Sequence, residues 1–247
     1  MTRVAVLGAK GRMGSVSVAA LTAAEDIDVV AEIDLDDPME RITDSGAEVA
    51  LDFTAPAAAL DNVRWCVEHG VHVVVGTSGF DEERIAAVRT LLGPDPSTGV
   101  LVVPNFSIGA VLMMRFAAIA APFFESVEVI EMHHPDKVDA PSGTATRTAE
   151  LIASARSEAG SAPLPDATTT DPDGARGALV AGVPVHSVRA RGFVASQDVV
   201  FGCLGETLSI RHDSSNRESF MPGVVAAVRA VSGKPGVTVG LESILDL

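Results

Sequence analysis

Positive charge is scarce in this chain. Its 247 residues carry 18 Lys and Arg against 33 Asp and Glu, a formal charge of −15. Nucleic acid and anionic membranes are bound through basic patches, so neither is expected as a partner. An anionic ligand would have to be drawn by a local cluster of cations. Cysteine is scarcer still. Cys66 and Cys203 stand far apart, each inside an apolar run, and read as buried reduced thiols, not as a disulfide or a metal pair. A reducing, cytoplasmic compartment fits them. No metal-ligand spacing occurs, since the His133-His134 pair is adjacent and has no Cys near it. There is no internal repeat. The first apolar run ends at Gly8, too early for a signal peptide. Residues 100–124 carry a single charge, Arg115, but Pro104, Asn105, Ser107 and Gly109 interrupt them. They read as a buried strand followed by a buried helix, not as a membrane span. What is plentiful is apolar side chain, 47% of residues, enough for one large domain or two smaller ones.

The amino end carries the first motif. Residues 4–7, Val-Ala-Val-Leu, are continuously apolar, as in a parallel strand buried on both faces. Gly8-Ala9-Lys10-Gly11-Arg12-Met13-Gly14 follows, then a helical pattern over 15–24 and a second strand over 28–33 that ends at Asp34. This is a βαβ unit with a glycine-rich first turn, where glycines permit a tight bend and close approach of a pyrophosphate. Asp34 lies twenty positions beyond Gly14, the offset expected of an acid that binds the adenosine ribose. The glycine spacing is G-x-x-G-x-x-G, with Lys10 in place of the usual middle glycine. Asp34 would repel a 2′-phosphate, whereas Lys10 and Arg12 would attract one, so use of both NADH and NADPH is expected.

Strand and helix keep alternating: strands at 49–53, 71–75 and 100–103, helices at 57–69 and 81–92. The alternation predicts an α/β, Rossmann-like, doubly wound parallel sheet. Gly76-Thr77-Ser78 and Val103-Pro104-Asn105-Phe106 fall at or just past strand ends, where such sheets bind ligands. A helix over 108–124 leads into a different pattern. Residues 159–184 are rich in Pro, Gly, Asp and Thr without a period, and read as one long loop. Strands at 185–191, 198–201 and 207–211 have no long helices between them, which predicts a smaller α+β domain with an antiparallel or mixed sheet. A final helix is expected over 217–231.

The stretch between those halves concentrates the chemistry. An apolar strand-like run at 127–130 leads into Glu131-Met132-His133-His134-Pro135-Asp136-Lys137-Val138-Asp139-Ala140-Pro141-Ser142-Gly143-Thr144. The path is strand, polar loop, helix start. A helix N-terminus suits a carboxylate or phosphate, Lys137 adds a mobile charge, and a histidine exchanges protons near neutral pH. Ser142 could equally be a plain helix cap beside surface histidines. Together the groups predict an anion pocket with an acid–base residue built in.

These motifs resemble one family, dihydrodipicolinate reductase (4-hydroxy-tetrahydrodipicolinate reductase). The resemblance rests on the 8–14 turn, Asp52-Phe53-Thr54, Gly76-Thr77-Ser78-Gly79-Phe80, Pro104-Asn105-Phe106-Ser107 and, above all, residues 133–144. The closing Val239-Gly240-Leu241-Glu242 is similar to the actinobacterial branch. Asp136 stands where many relatives carry a histidine, and Ser78 where a threonine is common. The resemblance implies a dinucleotide-binding domain of residues 1–106 and 217–247 and a substrate and tetramerisation domain of residues 107–216. It implies a homotetramer, NADH or NADPH as cofactor, and a cyclic dicarboxylate that is reduced in the diaminopimelate/lysine pathway. His133 and Lys137 would handle protons; His134, Gly143 and Thr144 would hold substrate carboxylates. Gly8, Lys10, Gly11, Arg12, Met13, Gly14, Asp34, Gly76, Thr77, Ser78, Val103, Pro104, Asn105 and Phe106 would contact the cofactor. Another two-domain NAD(P) oxidoreductase, such as an amino-acid dehydrogenase, or a non-catalytic NAD(P)H sensor would share the glycine turn; the sensor would not need the His-His-Lys loop.

Overall fold

The computed structural model describes residues 1–245, and the chain divides into two compact units. The first joins Met1–Ile108 to the chain from Arg217 onward, and the second is Gly109–Asn216. Residues 246 and 247, which the expected nucleotide domain includes, lie outside the described residues.

In chain order the first unit runs β1 (Thr2–Leu7), α1 (Gly14–Thr22), β2 (Ile27–Ile33), α2 (Glu40–Asp44), β3 (Val49–Asp52), α3 (Pro56–Glu68), β4 (His72–Val75), α4 (Glu82–Leu92) and β5 (Gly99–Val102). The chain then passes through α5 (Ile108–Ala120), β6 (Ser126–His133), α6 (Gly143–Glu158), β7 (Ala178–Val180), β8 (Val183–Arg189), β9 (Ala195–Cys203) and β10 (Glu206–Ser214). It ends with α7 (Met221–Val231) and β11 (Gly236–Val239).

The first sheet is parallel throughout, in the order β11-β5-β4-β3-β1-β2. Its strands are apolar runs because helices cover both faces; Val4, Val6, Leu51 and Val74 are wholly buried. Each contributes roughly 1.5–3 kcal/mol by leaving water. Local chemistry starts the helices. Pro56 opens α3, where a missing N–H costs nothing, and the Asp81 carboxylate caps α4 by accepting from the Arg84 N–H. From β1 the chain moves to β2 on one side and then to β3 on the other, so the order reverses between β1 and β3. A crevice at such a reversal, outside the carboxyl ends of the strands, is where doubly wound sheets bind ligands.

The second sheet is mixed, in the order β10-β9-β6-β8-β7, with only β6 and β8 parallel. α6 packs on β6 and β8. Alternate residues Val127, Val129 and Glu131 of β6 are buried, and the register sets Val199, Phe201 and Val185 beside the two valines. Buried Arg156 of α6 donates to the carbonyls of Ala121, Phe124 and Ala162 at 3.0, 2.5 and 2.8 Å. It thereby satisfies backbone at the end of α5 and at the start of the long loop.

Several expectations need correction. The 159–184 segment is not loop to its end. Its last residues form the β7–β8 hairpin, which turns at Ala181-Gly182, both with positive φ. The loop before it is tied down by Arg176, which donates to Glu128 at 2.6 Å and Asp166 at 3.2 Å. Cys203 is not buried: it is half-exposed, and its thiol donates to Glu206 at 3.3 Å, whereas Cys66 is buried, with its pKa pushed up to about 12 by burial and by Asp52. The helix over 108–124 ends as α5 at Ala120, followed by a short 3-10 turn. It is buried on one side only: Met113, Met114 and Ala117 face inward, while Phe116 and Ile119 are about half exposed. β9 and β10 outrun the predicted strands because ladder bonds, not apolar alternation, carry their polar ends.

Candidate active site

The glycine turn of the first unit is built from backbone. Gly8 has φ +74°, and its N–H donates to the Ile33 carbonyl at 2.7 Å, joining the end of β1 to that of β2. A Cβ at Gly8 would lie 2.6 Å from the Phe53 carbonyl oxygen, and one at Gly14 would lie 2.0 Å from that of Gly8. Gly11 donates its N–H to the same Gly8 carbonyl at 2.9 Å. The turn therefore closes only with glycine at its two ends. α1 begins at Gly14 after Met13 with no side-chain cap, the arrangement that leaves a helix start to an anion. Lys10, Gly11 and Arg12 are exposed around it. The Asp34 carboxylate accepts from the Lys10 N–H at 2.9 Å, so acid and turn are one construction. A cleft of about 410 Å³ lies there, lined by Gly8, Gly11, Asp34, Phe53 and Thr54 among others. It opens at the β1/β3 reversal. The collision-tight glycines, the uncapped helix start and the acid at the end of β2 fit a dinucleotide.

The neighbouring strand ends form a second group. Asp52, wholly buried at the end of β3, accepts from Thr54 Oγ1 at 2.7 Å, Asn62 Nδ2 at 2.9 Å and Thr77 Oγ1 at 2.7 Å. Thr77 thus spends its hydroxyl on fastening β4 to β3. Gly76 admits the Phe53 and Phe106 rings, tilted with centroids 5.4 Å apart; a Cβ there would meet Phe53 at 2.2 Å. Ser78 and Pro104 are exposed and Asn105 half-exposed, whereas Val103 and Phe106 are buried, so their side chains serve the core. The Val103 N–H donates to Val75 O at 2.9 Å, holding this rim to β4.

In the second unit β6, the central strand, carries His133 at its carboxyl end. Two residues earlier, on the same face, stands Glu131, wholly buried. Arg189 of β8 grips it with two bonds, Nη2 to Oε1 at 2.7 Å and Nη1 to Oε2 at 2.8 Å. His133 Nδ1 donates to Oε2 at 2.5 Å, and the Ser142 N–H donates to Oε1 at 3.2 Å. Ser142 Oγ then accepts the Ala145 N–H at 3.2 Å and caps α6. Arg189 also donates to the Asp139 carbonyl at 2.8 Å, while Lys137 donates through Nζ to the Asp139 carboxylate at 2.7 Å. The loop that runs from His133 at the end of β6, past Lys137, to Gly143 and Thr144 at the start of α6 therefore has both ends secured to one ion pair, whose carboxylate is wholly buried. His134 is exposed on that loop. A Cβ at Gly143 would meet nothing within 4 Å, so open space lies before the first turn of α6.

The electrostatics follow from this packing. Burial lowers the His133 pKa, Glu131 opposes the shift, and the cations Lys137 and Arg189 add to it. Burial pushes Glu131 up, but hydrogen bonds from Arg189, Ser187 and His133 outweigh that and hold its carboxyl below the usual range. Lys137 above all, helped by a backbone N–H, keeps Asp139 low. Sequence reasoning assigned no role to Glu131 or Arg189. The available signal was an acid at an inward position of β6, two residues beyond Val129. No group of three or more His, Cys, Asp or Glu among the described residues could hold a metal ion, and no helix among them is long and apolar enough to cross a membrane.

Comparison with known proteins agrees across the whole chain. The family model for the dihydrodipicolinate reductase N-terminus matches residues 2–106, and that for the C-terminus matches residues 109–245. The 4-hydroxy-tetrahydrodipicolinate reductase of Streptomyces coelicolor is 60% identical over 99% of this chain and 98% of its own. That of Nocardia farcinica is 59% identical over 99% of both chains. Among solved structures, dipicolinate-bound dihydrodipicolinate reductase from Paenisporosarcina sp. TG-14 superposes with a TM-score of 0.87, at 36% identity and 99% coverage of both chains. An amine dehydrogenase from Mycobacterium smegmatis shares the fold alone, with a TM-score of 0.62 at 14% identity over 96% of this chain and 94% of its own. Two family models matched in order, with full-length relatives near 60% identity, establish that this chain belongs to the dihydrodipicolinate reductase family.

Proposed function

We propose that the protein reduces 4-hydroxy-tetrahydrodipicolinate to tetrahydrodipicolinate in diaminopimelate and lysine biosynthesis. The observation that carries this reading is the single loop holding His133, Lys137 and the start of α6, all anchored on the Glu131–Arg189 pair. A ring with two carboxylates needs two cationic or N–H-rich places, and this loop has both. Lys137 supplies a full charge, and Gly143 and Thr144, at the α6 N-terminus, supply backbone N–H groups and the helix dipole. His134 adds a further contact to the carboxylates.

Loss of the 4-hydroxyl as water leaves a conjugated imine that accepts hydride at C4. Bound NADH or NADPH supplies that hydride. An electron pair delivered to the ring must be matched by a proton, and His133 and Lys137 exchange it with the substrate. Lys137 releases Asp139 to do so, since that carboxylate accepts from its ammonium. The cofactor is held by the turn at Gly8, Lys10, Gly11, Arg12, Met13 and Gly14, by Asp34, and by the rims at Gly76-Thr77-Ser78 and Val103-Pro104-Asn105-Phe106. Both nicotinamide coenzymes serve, because the Asp34 carboxylate faces a turn carrying exposed Lys10 and Arg12. The units act as a dinucleotide domain, 1–106 with 217–247, and a substrate domain, 107–216. The protein works in the cytoplasm as a homotetramer joined through the second sheet. The face of that sheet opposite Val127 and Val129 supports the assembly: it carries half-buried Ile130 and Val200 and a buried Asp198 oxygen without a hydrogen-bond partner among the described residues.

The test couples NADH or NADPH oxidation to a synthase that makes the cyclic substrate from pyruvate and aspartate semialdehyde. Wild-type protein should oxidise both coenzymes only when the synthase runs. Lys137→Ala should lower turnover by about 10²–10⁴-fold. Turnover of an acyclic amino or keto acid in place of the cyclic imine would reject the reading.

A further inference from the structure

We infer that Glu131 and Arg189 are positioning residues for His133: the buried carboxylate takes the Nδ1 hydrogen and so leaves Nε2 as the nitrogen offered to substrate. The inference rests on the function proposed above and deepens it, since neither residue has a role there beyond anchoring the loop.

The geometry permits one arrangement. Arg189 donates to both oxygens of Glu131, at 2.7 and 2.8 Å, which keeps the carboxylate ionised and fixes its plane. An ionised carboxylate has no hydrogen to give, so at 2.5 Å the His133 Nδ1 must be the donor. In a neutral imidazole the other nitrogen, Nε2, then carries a lone pair. Glu131 is wholly buried, and the rest of its oxygen capacity goes to the Ser142 N–H and to Ser187. It cannot turn away from His133 without abandoning the cap of α6.

The consequence for chemistry is a histidine prepared for both halves of a proton exchange. The charged groups around the ring are Glu131 on its own strand, Arg189 on β8, and Lys137 on the loop, itself paired with Asp139. Burial first, with the two cations adding to it, lowers the ring's pKa against the pull of Glu131 and favours the neutral form. The carboxylate beneath Nδ1 stabilises the imidazolium when Nε2 takes a proton and holds the ring in place when it is given back. The same carboxylate fixes Ser142, the N-cap residue of α6, so acid–base group and anion site share one reference point.

The direct test is ¹⁵N NMR of the histidine-labelled full-length protein, with His133→Gln identifying the His133 signals. At pH 8 His133 should show a protonated Nδ1 and an unprotonated Nε2. Glu131→Gln keeps the shape of the acceptor and removes its charge. The limb of the kcat/KM profile that disappears in His133→Gln should move to lower pH by at least about one unit in Glu131→Gln. Its kcat should fall about a hundredfold, with a smaller change in KM. Arg189→Lys, which keeps the charge but cannot bind both oxygens, should lower kcat by less and leave the limb near its wild-type position. An Nε2–H tautomer in the wild type, or an unmoved limb in a folded Glu131→Gln, overturns the inference. The wild-type spectrum needs no variant to fold. A wild type inert towards the cyclic substrate sinks the proposed function as well, whereas an active wild type with the Nε2–H tautomer sinks this inference alone.

Discussion

The two units build their sites from opposite materials. In the first, backbone does the work: glycines at 8 and 14 let chain segments approach closer than any Cβ allows, and the Asp34 carboxylate binds the Lys10 N–H, not a cation. In the second, side chains do the work. Glu131, Arg189, His133, Lys137 and Asp139 form a chain of charge-assisted bonds, and the glycine at the helix start has empty space around it. A site made of backbone tolerates little change of shape; a site made of charges tolerates little change of protonation. The first suits a coenzyme with a fixed shape, the second a step in which protons move.

Two glycines sharpen this contrast most. Gly14→Ala would drive a Cβ against the Gly8 carbonyl, which has no rotamer by which to escape. We expect coenzyme affinity, measured by fluorescence titration, and turnover to fall by at least about a hundredfold. Next comes the ion pair. Arg189→Met strips the buried Glu131 of its counter-charge, and loss of one partner from such a pair costs about 3 kcal/mol or more; urea unfolding of the second unit would measure it. Gly143→Ala should be the mild counterpart of Gly14→Ala. The new methyl meets no protein atom within 4 Å, so the melting temperature should hold while KM for the cyclic substrate rises about tenfold, since the methyl occupies space left to a ligand. An equal loss of coenzyme binding in both glycine variants would erase the distinction.

The smallest effect is a pH dependence in the first unit. His72 Nδ1 accepts the Gly99 N–H at 2.9 Å, and burial lowers its pKa, against the pull of Glu48. The folded state thus keeps this ring neutral at a pH where the unfolded chain would protonate it. Below about pH 6.5 the unfolded state binds the extra proton, so stability declines as pH falls. His133 and His212 are shifted in the same direction by burial. His72→Gln should flatten part of the decline in melting temperature between pH 7 and 5, leaving the share of the other two.

Much of the first unit was legible in sequence because parallel strands buried on both faces are short apolar runs, and β1, β3, β4 and β5 are just that. β11 was not, because Gly236-Val237-Thr238-Val239 gains its identity only by pairing with Gly99–Val102, far away in the chain. α2 is a helix of five residues, too short to show a period. β7 hid in a glycine-rich stretch that looked like loop. In the site, His133 and Lys137 stood out by residue type alone. Glu131 and Arg189 did not: they are 58 positions apart, and only the parallel pairing of β6 with β8 brings them together.

That distant pairing of β11 with β5 has a consequence for biosynthesis. A chain leaving the ribosome presents the strands of the first unit early, yet the edge of β5 stays bare until the last segment emerges. The middle unit, one uninterrupted stretch, is complete before then. Translation halted short of Arg217 would therefore leave a finished second unit attached to a sheet with an open, sticky border, and quality-control proteases should clear such fragments quickly.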